Sequence, residues 1–165
     1  MPRLIADVGG TNARFALSHH DGVHAPVLDN ERHLRVRDHA ELAEAAQAYL
    51  ASHTGGRPAI AEAVIAVATP VDAQVIRFTN SPWTFTRERL AAELGLERLA
   101  VINDFAAQAA AIPYLGKDDR IAIGTGTALS AWPVAVIGPG TGLGAAGLVP
   151  TPEGSIVIAS EAGHV

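Results

Sequence analysis

Cysteine is absent from this chain, which removes disulfides, thiolate catalysis and cysteine-based zinc sites, and fits a reducing, cytoplasmic setting. Lysine occurs once, as Lys117 in the loop GKDD. A P-loop needs Gly-Lys-Ser/Thr, which the residues around Lys117 do not supply, and a Schiff-base mechanism would have to rest on a loop lysine beside two acids. No basic run occurs, which argues against a nucleic-acid partner, because phosphates reward clustered Lys and Arg. No stretch approaches the roughly 20 apolar residues that span a bilayer, so no membrane association is expected. The first residues lack the charged, apolar and small-residue regions of a secretory leader. What remains is 165 residues, 48% hydrophobic and 18% charged, with net charge −5 and a pI of about 5.7. That is enough to bury one core, or one core and part of another.

The order of elements follows from periodicity. Residues 3–8 and 13–18 read as strands, and the turn signal HHDG (19–22) places a third from about residue 23. Asp38 with Glu41 three residues on predicts a capping box at the start of a helix. Leu42, Ala45, Ala46, Tyr49 and Leu50 continue it at helical spacing, and Gly55-Gly56 end it. The run AVIAVA (63–68) reads as a strand buried on both faces. QVIRFT (74–79) predicts a further strand, and Thr86 caps a short helix that Gly95 stops. LAVI (99–102) predicts another buried strand, and DFAAQAAAI (104–112) a helix that Pro113 terminates. Three strands in a meander, then strands separated by helices, define an α/β layered domain with a mixed sheet over residues 1–113.

From 114 to 165 the pattern begins again. Residues 116–133 are polar and Gly-rich. VAVIGPGTGLGAAGLV (134–149) then repeats the opening stretch LIADVGGTNARFAL (4–17) in outline: strand, glycine corner, strand. SIVIAS (155–160) predicts a third strand. This is a weak internal repeat whose second copy is incomplete. Glycines let backbone N–H groups approach phosphate oxygens, and Thr11 and Thr141 add hydroxyl donors. Asp7 would repel a phosphate directly but can reach one through Mg²⁺ and its waters. An acid inside a phosphate corner therefore points to a metal nucleotide.

These residues carry a family resemblance. DVGGTNAR (7–14) resembles the first phosphate motif of sugar kinases in the actin-like ATPase superfamily, and GPGTGLG (138–144) the second. TNSPW (79–83), INDF (102–105) and EAGH (161–164) are similar, in identity and order, to motifs of the bacterial glucokinase family. The resemblance implies an actin-like (ribonuclease H-like) α/β lobe with a mixed five-stranded sheet and flanking helices, followed by the start of a second similar lobe. It implies transfer of phosphate from ATP with Mg²⁺ to glucose or a similar hexose, and leaves homo-oligomerisation open. By resemblance, Asp7 binds Mg²⁺ through water, and Gly9, Gly10, Thr11, Asn12 and Arg14 serve the phosphates with Gly140, Thr141 and Gly142. Asp104 is the general base, and Asn103, Asn80, Glu161 and His164, with Asp104, contact sugar hydroxyls. Complete members are about twice this length, and the remainder holds the adenosine motif and a further sugar-binding glutamate. The chain alone is therefore expected to be inactive.

Each motif also has a plainer reading. DVGGTN can be a hairpin turn whose glycines supply positive φ. IND can be a helix cap, since Asn and Asp favour that position. Gly140-x-Gly142-x-x-Ala145 satisfies a relaxed dinucleotide fingerprint, but Pro150 and Pro152 oppose the helix which that motif must open. EAGH can be a metal pair on a helix, which Gly163 opposes. Asn80 and Trp83 either line a cleft or fix a turn and fill the core. His19, His20 and His24 form a solvated turn or, less readily, a metal site. Two functional rivals stay open: a ROK-type kinase of other hexose specificity, and a non-catalytic sugar sensor on the same fold. Sensors of that kind carry a DNA-binding helix-turn-helix ahead of the kinase-like lobe, and the first strand beginning next to Met1 is expected to leave no room for one.

Overall fold

A computed structural model of the chain describes residues 1–20, 26–78, 80–127, 129, 131–139 and 142–160. It divides into two compact units, Met1–Asp104 and Phe105–Val165. Most of the helix opened by Asp104 packs with the later strands.

The first unit contains β1 (Arg3–Val8), β2 (Asn12–His19), β3 (Val27–Arg35), α1 (Leu42–Ala51), β4 (Glu62–Val67), β5 (Val75–Arg77), β6 (Thr84–Thr86), α2 (Arg87–Leu94) and β7 (Arg98–Asn103). Its main sheet has the order β3-β2-β1-β4-β7. The hairpin-linked strands pair antiparallel, while β1–β4 and β4–β7 are parallel. The mixed five-stranded sheet is therefore the one expected.

Alternation on β1 sends Leu4, Ala6 and Val8 to one face, in register with Ala63, Ile65 and Val67 of β4. Leu42, Ala46, Tyr49 and Leu50 of α1 and Leu90 and Leu94 of α2 join them in one core. Burying each large aliphatic side chain contributes about 1.5–3 kcal/mol, which favours this face strongly over a slipped register. The Tyr49 ring stacks on Phe15 with centroids 5.4 Å apart. At the amino edge of the sheet, Arg3 of β1 and Arg98 of β7 both bond Glu62 of β4. Those two guanidinium groups hold the Glu62 carboxyl below its ordinary range.

Local signals were accurate at α2. The Thr86 hydroxyl accepts from Arg89 N–H at 3.2 Å, and Gly95 closes the helix in the left-handed conformation. They failed at α1. Asp38 lies in a 3₁₀ turn (Val36–Asp38), and Glu41 is the residue before the helix, with no side-chain cap bond. The end is instead held by Glu44, whose carboxylate accepts from Ala40 N–H at 2.6 Å. The strand β6 was also not foreseen; it pairs with β5 in a short two-stranded ribbon.

The second unit holds α3 (Asp104–Ala111) from Phe105 onward, then β8 (Val134–Pro139), β9 (Leu143–Thr151) and β10 (Gly154–Ser160). These strands form an antiparallel meander, as β1–β3 do. Ala109 of α3 packs with Ala146 and Leu148, joined by Phe105, Ile112, Val136 and Val157. The register places Ile137, Ile156 and Ile158 on the opposite face of this small sheet, where all three are more than half exposed.

Candidate functional site

Because β1, β4 and β7 are parallel, their carboxyl ends share one edge of the sheet. The register sets Val8, Val67 and Asn103 side by side across those strands. The segments leaving that edge are the DVGGTN hairpin, the stretch through Thr69, and the β7–α3 junction. In open α/β sheets this is the edge at which ligands bind. Asn103 is the buried last residue of β7, and Asp104, half-buried, is the first of α3.

The hairpin between β1 and β2 is fixed from two sides. Gly9 N–H donates to the Asn12 carbonyl at 3.0 Å, and Val36 N–H donates to the Thr11 carbonyl at 2.9 Å. Among the described residues, the N–H groups of Gly10 and Thr11 meet no acceptor within the chain. Neither Gly9 nor Gly10 has a positive φ, so the plain-turn explanation of these glycines does not hold. Gly10 is there for space: a Cβ would lie 2.6 Å from Asn80 Cβ and 2.8 Å from the Asn80 carbonyl oxygen. The turn of the TNSPW motif is thus seated directly on the first glycine hairpin.

Asp7 projects to the face opposite the core, in register with Arg14. Its carboxylate lies 3.8 Å from the Arg14 guanidinium, and both side chains are exposed. No group of three His, Asp or Glu side chains suited to a metal occurs among the described residues. Mg²⁺, however, keeps most of its waters and takes one or two carboxylates together with substrate phosphates, so a single exposed Asp7 fits it.

Trp83 resolves toward the core. It is buried, its indole N–H donates to the His39 carbonyl at 3.0 Å, and its ring meets Phe78 edge-on. Asn80, in contrast, is exposed beside Gly10. His19 Nε2 lies 3.2 Å from the Asp29 carboxylate. Gly142 directly precedes β9. Gly140, Thr141, Glu161, His164 and His24 lie outside the described residues. Reading motifs alone missed Phe105, whose ring packs on Gly138 and Gly144; the signal was two glycines placed symmetrically about the Gly-Thr-Gly corner.

A mixed five-stranded sheet with helices, followed by a second meander built like its first three strands, is the sugar-kinase form of the actin-like ATPase fold. The family profile described as Glucokinase matches residues 4–165. The chain is 46% identical over 165 residues to the glucokinase of Aromatoleum aromaticum, covering 99% of this chain and 48% of that protein. It is 41% identical over 166 residues to the glucokinase of Cupriavidus metallidurans, covering 99% and 47%. A crystal structure of glucokinase from an Antarctic psychrotroph superposes with a TM-score of 0.85 at 39% identity, covering 99% of this chain and 51% of that one. The chain belongs to the glucokinase family. It spans about half the length of the curated relatives it matches. No helix among the described residues is long and apolar enough to cross a membrane.

Proposed function

We propose that this chain forms the first lobe, residues 1–113, and the beginning of the second, 114–165, of an ATP-dependent glucokinase. The reaction is in-line transfer of the γ-phosphoryl group to the 6-hydroxyl of glucose, in the cytoplasm. The observation that carries the reading is the shared edge: the first glycine hairpin, Asn80, Asn103 and Asp104 all sit at the carboxyl ends of β1, β4 and β7.

In this reading the Gly10 and Thr11 amides, Asn12 and Arg14 receive phosphate oxygens, Gly9 shapes the turn, and Gly140, Thr141 and Gly142 act from the second hairpin. Asp7 would hold Mg²⁺ through water, and the bound ion would supply charge neutralisation at the phosphates. Asn80, Asn103, Glu161 and His164 bind sugar hydroxyls; carboxylates accept, while Asn and His donate. Asp104 accepts the hydroxyl proton late, as the phosphoryl group moves. The demand on the base is small, because catalysis of phosphoryl transfer is mostly positioning and charge stabilisation.

The test joins residues 1–165 to the C-terminal half of the Aromatoleum aromaticum relative and follows glucose-dependent ADP release. Asp104→Asn should lower kcat by about 10²-fold or more while glucose binding survives; a fall of less than about tenfold removes Asp104 as the base. The 165 residues alone should be inactive, since two lobes are needed to position the reactants and exclude water. Turnover by this piece within about a hundredfold of the chimera would overturn the two-lobe reading.

A further inference from the structure

Gly138 and Gly144 face each other across the β8–β9 ladder, at the base of the second glycine hairpin. Neither has a positive φ. A Cβ on Gly138 would come within 2.5 Å of Phe105 Cζ and 2.7 Å of Cε1. A Cβ on Gly144 would come within 1.7 Å of Phe105 Cε2, 2.1 Å of Cδ2 and 2.2 Å of Cζ. Real Cβ atoms essentially never approach heavy atoms below 3.0 Å, so the two glycines make a slot and the phenyl ring fills it. Gly138 and Gly144, at the base of the hairpin, therefore both answer to Phe105.

From this packing we infer that Phe105 is a positioning residue, keying the base of the second glycine hairpin to the first turn of α3. Phe105 directly follows Asp104, so one side chain fixes the hairpin at the helix turn that Asp104 opens. The first hairpin is buttressed by the same device, with Gly10 seated on Asn80. In both cases a glycine admits a neighbouring motif rather than a left-handed turn. The catalytic consequence rests on the glucokinase reading; the packing does not.

NMR of the 165-residue chain tests the packing. The Hα signals of Gly138 and Gly144 should be displaced by the ring current of Phe105 and return to the ordinary glycine range in Phe105→Ala. Amide exchange at Gly142 and Leu143 should rise about tenfold or more in Phe105→Ala and recover in large part in Phe105→Leu, which restores an apolar body. Gly144→Ala should destabilise the chain less in the Phe105→Ala background than in the wild type, because the methyl group then enters vacated space. In the chimera, Phe105→Ala should lower kcat by about ten- to a hundredfold with KM for glucose unchanged, and Phe105→Leu should restore most of it. Unshifted glycine signals, unchanged exchange, or strictly additive substitutions overturn the inference. So does a chimera that turns over normally with Phe105→Ala. A wild-type chimera without turnover counts against the glucokinase reading, and the NMR and exchange results then decide the role of Phe105.

Discussion

Replacing Gly10 by Ala separates a glycine kept for space from one kept for backbone freedom. The added Cβ would stand 2.6 Å from Asn80 Cβ, 2.8 Å from the Asn80 carbonyl oxygen and 3.2 Å from its carbonyl carbon. Carbon pairs prefer about 3.5–4.0 Å, so the two segments must part by about 1 Å. Two of the three obstructing atoms are backbone, which no rotamer change can move. Overpacking of this kind costs about 1–3 kcal/mol. Alanine also stiffens the unfolded chain, which returns about 0.4–1 kcal/mol where φ is compatible. Gly9 is the internal control: its Cβ would meet only the Asn12 carbonyl oxygen, at an ordinary 3.6 Å, and its φ is not positive. Gly9→Ala should therefore be neutral or slightly stabilising, and the two variants should differ by the overpacking energy alone. With a urea slope of about 1–3 kcal/mol/M, their midpoints should separate by roughly 1 M. Trp83 fluorescence reports the first unit if the exposed Trp132 of the second is first replaced by Phe. Coincident midpoints for Gly10→Ala and Gly9→Ala would refute the seating of Gly10 on Asn80.

Thr86→Ala should destabilise the first unit by about 1 kcal/mol in the same urea assay, because it strips the cap that accepts from Arg89 N–H, while Thr86→Ser should lose little. The Tyr49 hydroxyl is buried with no partner among the described residues, so Tyr49→Phe should be neutral or stabilising at pH 7; a clear loss would reveal a partner. Burial, and secondarily the Asp29 charge, pushes the Tyr49 hydroxyl up to about 12. The unfolded chain releases that proton from about pH 10, so this contribution to stability is complete below pH 10 and is lost as pH rises toward 12. Tyr49→Phe should flatten that alkaline decline, measured as urea midpoint against pH.

Much of the architecture was legible along the chain because its causes are local. Alternation in β1 and the apolar run of β4 need only a period and a composition. Thr86 and Gly95 bound α2 because a hydroxyl cap and a left-handed stop act within a few residues. The glycine corners, INDF and TNSPW carried the family resemblance for the same reason: each is a short ordered string. Local signals misled where a distant segment had prior claim. Val36 N–H is taken by Thr11, and the chain there turns as 3₁₀, so Asp38 never caps α1.

The sequence alone determined that the chain is an α/β lobe with a glycine corner between its first two strands and an Asn-Asp pair where a strand becomes a helix. Only the tertiary structure decided why particular side chains are needed. Trp83 became core because His39 offers a carbonyl to its indole N–H. Gly10 must lack a side chain because Asn80 rests on it, and Gly138 and Gly144 because Phe105 does. Such requirements arise where segments far apart in the chain approach within van der Waals distance. No periodicity, cap or propensity encodes that approach; it exists only once the sheet register has brought the segments together.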